Sequence, residues 1–458
     1  MSRPLTFAFR LPLLACSALV ALRLVQGTEA VLMTGAAIAF ATLRLAPIRT
    51  LVAISLLGLP FLGAAASLIG LTATTLVMGL DLVLLLMVLI TSRELLSRRQ
   101  FKGLRYFLIW WSVFMVAYSA SAFSGQKSEY STFAWEYFAV YGSYYALAGV
   151  LAARSEIELT EVLSVGLPLY AFQYWQLHSS LLSLSQLADP AIGLRGNQDF
   201  DPINGARTAG LLLLMALCVS VLKRPRLRWL PEVGMAVAIG APLTWYSYTR
   251  QVYIAVILVG ATMLLSMMFA SRSRSQTVWS KLVPLATLCV AGLVTGFEVV
   301  HLLQTDAHSR VVQLGLTLDR TIIWKDCIEL IASHPLLGVG ISRFQELGIA
   351  LWPHNWIIEA WLAMGLVGPA LTLSGGVIAL LALRRGGEPW LEGWSLLALY
   401  YLIVAQVSAD IARNSSLFFF LALAFHSTWC RRAAPELPRA PAFAALAGSS
   451  FSTTGRPG

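Results

Sequence analysis

Stretches of about 20 apolar residues recur along almost the whole chain and are separated by short polar segments. Each stretch is long enough for one helical crossing of a bilayer. We therefore predict an all-α, polytopic integral membrane protein with about 12 to 14 transmembrane helices, of which one or two near the N-terminus could be half-spans. The predicted spans lie near 6–25, 29–44, 51–70, 72–91, 106–124, 132–153, 160–182, 206–222, 231–248, 251–270, 282–301, 357–383, 393–411 and 414–430.

The composition agrees with this pattern, because 57% of the 458 residues are hydrophobic and only 12% are charged. The net charge of +10 comes mainly from short basic clusters that no aromatic stacking platform accompanies, so we predict no binding of nucleic acid. The positive-inside rule places these clusters in the cytoplasm. They lie at 92–105, 223–228, 271–281, 384–389 and 431–439. Both termini are then cytoplasmic.

This topology divides the chain into three predicted regions. Residues 1–205 hold the first transmembrane helices and a large periplasmic loop, residues 206–430 form the core, and residues 431–458 form a disordered cytoplasmic tail rich in Pro and Gly. The outer side also receives a long segment at 302–356. In that segment residues 320–335 have helical spacing of apolar positions, which predicts an amphipathic helix on the membrane surface, ended by Pro335.

Cysteine and acidic residues add little chemistry to this picture. Most of the five cysteines lie in or beside apolar spans, and the chain shows no disulfide framework. They are Cys16, Cys218, Cys289, Cys327 and Cys430. Asp81 stands alone within a span and receives no predicted role. Asp199 and Asp201, in the sequence DFD, could hold a divalent metal against a diphosphate, although a turn is the simpler interpretation. The histidines lack ligand spacing, and no cofactor is predicted.

Three arginines fall at the predicted outer ends of helices, namely Arg207, Arg250 and Arg320. Arginines there could simply anchor helix ends by extending toward water. However, the positive-inside rule disfavours arginine on this side, and few carboxylates are near them in the sequence. A diphosphate group would supply the missing negative charge, because the guanidinium group binds phosphate oxygens through paired hydrogen bonds.

A His-Asn pair precedes the predicted span at 357–383. Asn355 suits the N-cap of this helix, and His354 could be a polar cap as well. Alternatively, a neutral imidazole could accept a proton from a hydroxyl group, and the positive end of the helix dipole would keep it neutral. Trp352 and Trp356 flank the pair with faces that suit sugar rings or an interface. A turn that contains Gly338 and Gly340 precedes it.

These elements together resemble the bacterial O-antigen ligase and polymerase superfamily. The resemblance covers about residues 200 to 383 and rests on an ordered series of motifs. The series is Arg320, Trp324, His334-Pro335-Leu336, Gly338-Val339-Gly340, His354-Asn355 and the step Gly365/Gly368.

The resemblance implies a metal-independent glycosyltransferase at the periplasmic face of the bacterial inner membrane, and we predict a single displacement that inverts the anomeric configuration. Its donor is an undecaprenyl-diphosphate-linked glycan, held by the arginines, and its base is His354. The short gap between Gly340 and His354 favours a polymerase of O-antigen or exopolysaccharide repeats, with a possible chain-length regulator protein as partner. A ligase that joins the polymer to lipid A-core is the alternative. A glycan or lipid transporter is a lower alternative, because transporters place ionisable groups at the midplane between repeats.

Overall fold

The computed structural model describes most of the predicted spans. The described residues are 28–58, 70–98, 101–124, 129–182, 202–222, 229–246, 250–270, 315–341, 343–346, 353, 355–385, 389–406 and 411–429, with isolated positions 13, 15, 17, 62 and 66. Within these ranges every regular element is helical and no strand occurs. The prediction of an all-α fold is therefore confirmed for this part of the chain. The predicted span at 282–301 and the tail at 431–458 lie outside it.

The helices follow the hydropathy pattern closely. They are α1 (Thr28–Leu45), α2 (Pro47–Ala53), α3 (Ala73–Ser97), α4 (Lys102–Ser124), α5 (Glu129–Tyr137), α6 (Ser143–Arg154), α7 (Leu159–Leu182), α8 (Pro202–Leu222), α9 (Leu230–Tyr246), α10 (Arg250–Ala270), α11 (Gly315–Ser333), α12 (Arg343–Glu346), α13 (Trp356–Met364), α14 (Val367–Arg385), α15 (Pro389–Ala405) and α16 (Ser416–Trp429). A π-helical turn at Ile54–Gly58 extends α2, and another at Phe138–Gly142 joins α5 to α6.

Helix α16 forms the centre of the packing. Its residues from Leu417 to Thr428 are all buried, and it contacts α4, α6, α14 and α15. Small residues allow these close approaches, because Gly149 of α6 lies against the backbone of Phe419 and Gly103 of α4 lies against that of Phe425. Close backbone contact through small residues is typical of helices packed within membranes.

Two described helices are long and apolar enough to cross a membrane. They cover Thr74–Ser92 in α3 and Lys102–Phe123 in α4. Shorter apolar helices of 10 to 17 residues include segments of α7, α8, α10, α14, α15 and α16. The helical structure and its apolar surfaces are consistent with a helical membrane protein, and the number of crossings stays a prediction.

The predicted span at 357–383 is not one continuous helix, so this prediction was wrong. Helix α13 ends at Met364, Gly365 adopts a φ of 57°, and α14 begins at Val367. The two helices pack against each other as an antiparallel hairpin. A helix cannot pass through a positive φ, and glycine adopts that conformation at low cost. Hydropathy alone does not detect such a break.

The predicted amphipathic helix is present as α11 (Gly315–Ser333), and its position on a membrane surface stays a prediction. Its apolar residues pack against α13. Cys327 and Ile331 form a small core with Phe344 and Leu362. The charged side chains Lys325 and Glu329 point away and are exposed.

The close approach within the hairpin yields a test of its packing. A Cβ atom at Gly368 would collide with the backbone carbonyl group of Ala360, whereas a Cβ at Gly376 of the same helix meets open space. We expect Gly368→Ala to cost roughly 1–3 kcal/mol, as overpacking does, and to lower the Tm of the purified protein. Gly376→Ala is the matched control and should leave Tm unchanged or raised, since alanine favours helix. Equal Tm values for the two variants would contradict the hairpin contact.

Candidate active site

The connection between α15 and α16 brings together helices that are distant in sequence. It includes Gln406 at the end of α15 and the turn at 411–415 before α16. Backbone groups of this connection meet side chains from α8 and from α13. It is therefore the structural centre of the candidate site.

Arg207 reaches the connection from α8. Its side chain is 4% exposed, and its Nη1 atom donates a hydrogen bond of 3.2 Å to the carbonyl oxygen of Arg413. The hydroxyl group of Tyr400 donates to the carbonyl oxygen of Arg207 at 2.9 Å. The guanidinium group is thus oriented by a backbone carbonyl group of the connection, and Tyr400 of α15 fixes the backbone of Arg207. An anchor that only extends toward water would not be buried in this way.

Asn355 caps the N-terminus of α13, as the sequence predicts. Its Oδ1 atom accepts hydrogen bonds of 3.0 Å from the backbone N–H groups of Ile357 and Ile358. Its Nδ2 atom donates to the carbonyl oxygen of Gln406 at 3.2 Å. One side chain therefore satisfies the first turn of α13 and ties it to the end of α15.

Glu359 makes a second link from α13 to the same connection. Its side chain is 9% exposed, and its Oε2 atom accepts a hydrogen bond of 2.9 Å from the backbone N–H group of Ile411. Ile411 is two residues from Arg413, which receives Arg207. The Arg207 guanidinium group and the first turn of α13 are consequently joined through one short turn of backbone.

Helix α11 fixes the segment in front of His354. The indole nitrogen of Trp324 donates a hydrogen bond of 2.9 Å to the carbonyl oxygen of Pro353. Arg320 precedes Trp324 by four residues on α11, and residues at this spacing share one face of a helix. The backbone of Arg320 thus lies one turn away from a residue that contacts the His354 segment.

The glycine-rich turn packs against the C-terminal end of α13. Gly338 and Gly340 have φ angles of 73° and 90°, which explains why glycine occupies these positions. The N–H group of Val339 donates to the carbonyl oxygen of Leu362 at 2.7 Å, and the N–H group of Leu366 donates to that of Leu336 at 3.2 Å. The indole nitrogen of Trp361 donates to the carbonyl oxygen of Pro335 at 3.2 Å. The turn therefore holds α13 in place.

Trp356 supports the site by packing and does not present its face to a ligand. It is 1% exposed, and its ring centroid lies 6.3 Å from that of Phe114 and 6.4 Å from that of Phe418. The aromatic core that receives it also contains Trp111 and Phe138. A sugar platform would have to be built by other residues.

Cys327 lies beneath the site as an inert residue. Burial raises the pKa of its thiol to about 12, and the carboxylates of Asp326 and Glu359 act in the same direction. The thiolate is the reactive form of cysteine, so a thiol with this pKa is a poor nucleophile. It fills space between α11 and α13.

Several predicted site residues lie outside the described residues or are described by their backbone alone. His354, Trp352, Asp199 and Asp201 belong to the first group. Arg250 begins α10, which packs against α8 and α15, so its backbone lies at the end of a helix that borders the site. Within the described part of the chain, no group of three or more His, Cys, Asp or Glu residues could hold a metal ion.

Sequence reasoning placed a turn at 408–416 on the outer side but assigned no role to it, to Glu359 or to Gln406. Glu359 did carry a signal, because an acidic residue in the otherwise apolar stretch WIIEAWLAM needs a buried partner. The backbone groups of Gln406, Ile411 and Arg413 left no such signal, since any residue supplies them.

Within the described residues, the helices, their apolar surfaces and the polar cluster at one set of helix ends are consistent with a helical membrane protein that carries a candidate site. The family comparison then makes the class specific, because residues 235–373 match the model of a family described as O-antigen ligase. This match places the segment in the O-antigen ligase and polymerase superfamily and confirms the resemblance noted from its motifs. Members of the family are inner-membrane proteins. Among curated proteins, none matches the chain.

Proposed function

We propose that this protein is a polytopic inner-membrane glycosyltransferase that moves a glycan from an undecaprenyl-diphosphate carrier to a sugar hydroxyl group at the periplasmic face. The observation that carries the proposal is the linking of Arg207 to the first turn of α13 by hydrogen bonds to the backbone of Ile411 and Arg413, with Gln406 bonded to Asn355. Because the Arg207 guanidinium group is linked to the helix that follows His354, the arrangement supports a role for Arg207 in binding the diphosphate. The family match over α13 and the first part of α14 supports it.

In this proposal the arginines bind the leaving group and the histidine activates the acceptor. Arg207, with Arg250 and Arg320, binds the diphosphate and stabilises the charge that develops as it leaves. His354 takes the proton of the acceptor hydroxyl, and the hydroxyl oxygen attacks the anomeric carbon from the face opposite the diphosphate. The configuration at that carbon inverts. None of these steps needs a metal ion.

Polymerisation of surface polysaccharide repeats is the favoured form of this reaction, and the short gap between Gly340 and His354 supports it. A chain-length regulator protein would then be a natural partner. Ligation to lipid A-core is the second candidate, and the description of the matched family favours it. The surface-glycan gel of a deletion strain separates them. A polymerase mutant retains single repeats on lipid A-core, whereas a ligase mutant shows bare core with polymer on the carrier. An unchanged gel would refute both.

Arg207→Lys tests the diphosphate role. Lysine keeps the charge but loses the planar fork that pairs with phosphate oxygens, so donor binding should weaken about 10- to 100-fold, the equivalent of one hydrogen bond to a charged group. Arg207→Ala should be at least as severe. Titration of the purified variants with a fluorescent undecaprenyl-diphosphate measures the effect.

Arg343→Lys, at an exposed position of α12, is the matched control and should bind normally. Wild-type binding by Arg207→Lys would remove Arg207 from the diphosphate site.

A further inference from the structure

Two large apolar side chains on the glycine-rich turn are exposed. Leu336 is 68% exposed and Leu337 is 88% exposed, although the backbone of the turn is fixed by hydrogen bonds to α13 and to Leu366. A loop fixed in this way could have carried polar residues at no cost. Exposed apolar patches on ordered backbone usually mark a contact surface.

Helix α4 gives the depth at which this turn lies. Its segment Lys102–Phe123 is one of two among the described residues that are long and apolar enough to cross a membrane. The indole nitrogen of Trp110 donates to the hydroxyl oxygen of Ser374 at 3.0 Å, and the hydroxyl group of Ser121 donates to the carbonyl oxygen of Ala363 at 2.5 Å. The tip of the α13–α14 hairpin is therefore level with Ser121, inside the apolar segment of α4.

Contacts with α4 also place the N-terminus of α13 farther from the outer end of α4 than the hairpin tip is. Trp356 packs against Phe114, seven residues before Ser121, which corresponds to about 10 Å along a helix. Helix α13 thus runs from the level of Phe114 toward the outer end of α4 at Ser121. Helix α14 runs back in the opposite direction, to the level of Trp110. The glycine-rich turn is bonded to the upper end of this hairpin through Leu362 and Leu366.

The surface below the turn is apolar on both neighbouring helices. Exposed apolar side chains lie on the outward faces of α4 and α14, which contact each other. They include Ile109, Val113 and Val116 on α4, and Val367, Leu373 and Val377 on α14. Leu336 is bonded through its carbonyl group to Leu366, so the exposed leucines of the turn extend this surface upward without a polar break.

We propose that the turn His334–Gly340 is seated in the outer leaflet of the membrane, with Leu336 and Leu337 in contact with lipid acyl chains. The choice of the outer leaflet rests on the topology in the proposed function. Lys325 and Glu329 of α11 are 76% and 67% exposed and remain in water. Contact with the acyl chains keeps the turn in the leaflet. The hydrogen bonds between the turn and α13 then fix the position of α13 relative to the membrane, beside the candidate site.

Fluorescence quenching in lipid nanodiscs tests whether the turn lies in the outer leaflet. An environment-sensitive fluorescent amino acid is inserted at position 337, and the matched control carries it at exposed position 325. Leaving the cysteines untouched avoids disturbing the buried Cys218 and Cys327. We expect the probe at 337 to emit at shorter wavelength, to be quenched by lipids with a nitroxide near the headgroup, and to be quenched severalfold less by aqueous iodide than the probe at 325.

Three outcomes would overturn the proposal. Equal iodide quenching at the two positions would place the turn in water. Protection at 337 from both iodide and nitroxide lipids would mean that a second copy or another protein covers it. Quenching only by nitroxides at the chain ends would place it in the bilayer centre. If a variant at 337 fails to fold, the probe at 336 gives the same readout. These measurements do not depend on catalysis, so they remain interpretable if the proposed function fails.

Discussion

Replacement of His354 by alanine is expected to reduce turnover by about 10²- to 10⁴-fold, the usual contribution of a general base. Binding of the lipid-linked donor should stay close to normal, because arginines hold the diphosphate. His354 directly precedes Asn355, the N-cap of α13, in the sequence, and we expect the helix dipole there to disfavour a protonated imidazole. Asn355 already occupies the N–H groups of Ile357 and Ile358, so the histidine is not needed as a cap. Turnover and donor binding should be measured on one preparation.

Asn355→Ala is the informative comparison for His354. It should act through position, since the amide cannot take a proton, and it should weaken the first turn of α13 by about 1 kcal/mol, the usual value of an N-cap. Its loss of turnover should therefore be smaller and accompanied by a lower Tm. Normal turnover in His354→Ala would move the catalytic base elsewhere on this face of the protein.

Glu359→Ala is expected to impair both donor binding and turnover, by about 10- to 100-fold. The buried N–H group of Ile411 loses its acceptor, which costs roughly 1–3 kcal/mol, and the turn that receives Arg207 is released from α13. Small displacements of positioning groups have effects of this size on rate. Glu359 acts through Arg207 and the α13 helix, so it is a positioning residue.

Glu359→Gln decides whether this interpretation holds. Its side-chain carbonyl oxygen can still accept from Ile411, so most donor binding and turnover should return. Glu329→Gln, at an exposed site on α11, controls for a change of charge and should be silent. A glutamine variant as impaired as the alanine variant would show that the negative charge itself takes part in the reaction.

Hydropathy predicted the helices well because burial in lipid or protein requires continuous apolar stretches. The predicted spans at 206–222 and 251–270 nearly coincide with α8 (Pro202–Leu222) and α10 (Arg250–Ala270). The break at Gly365 escaped because it depends on a backbone angle. The packing of α11 on α13 escaped because an apolar stripe has the same spacing whether it faces a membrane or another helix.

The candidate site could be predicted only in part. The motifs directed attention to Arg207 and Asn355, and the structure brings both to one backbone connection. The contacts of that connection could not be predicted from the sequence, because it contributes backbone carbonyl and N–H groups. Asn355 was interpreted correctly as a cap, since its side chain and position together specify that role. The role of His354 stays a prediction.

The depth of the α13 N-terminus has a consequence for the fate of the activated sugar. Water attacks the anomeric carbon as readily as a sugar hydroxyl does, and it is far more concentrated. In the proposed reaction the sugar would react near the N-terminus of α13, about 10 Å along α4 from the hairpin tip and beside the buried ring of Trp356, where it would meet little bulk water. Closed, dry sites suppress hydrolysis of reactive intermediates. We therefore expect the ratio of transfer to hydrolysis to fall in variants that loosen the hairpin, even where total consumption of the donor is maintained.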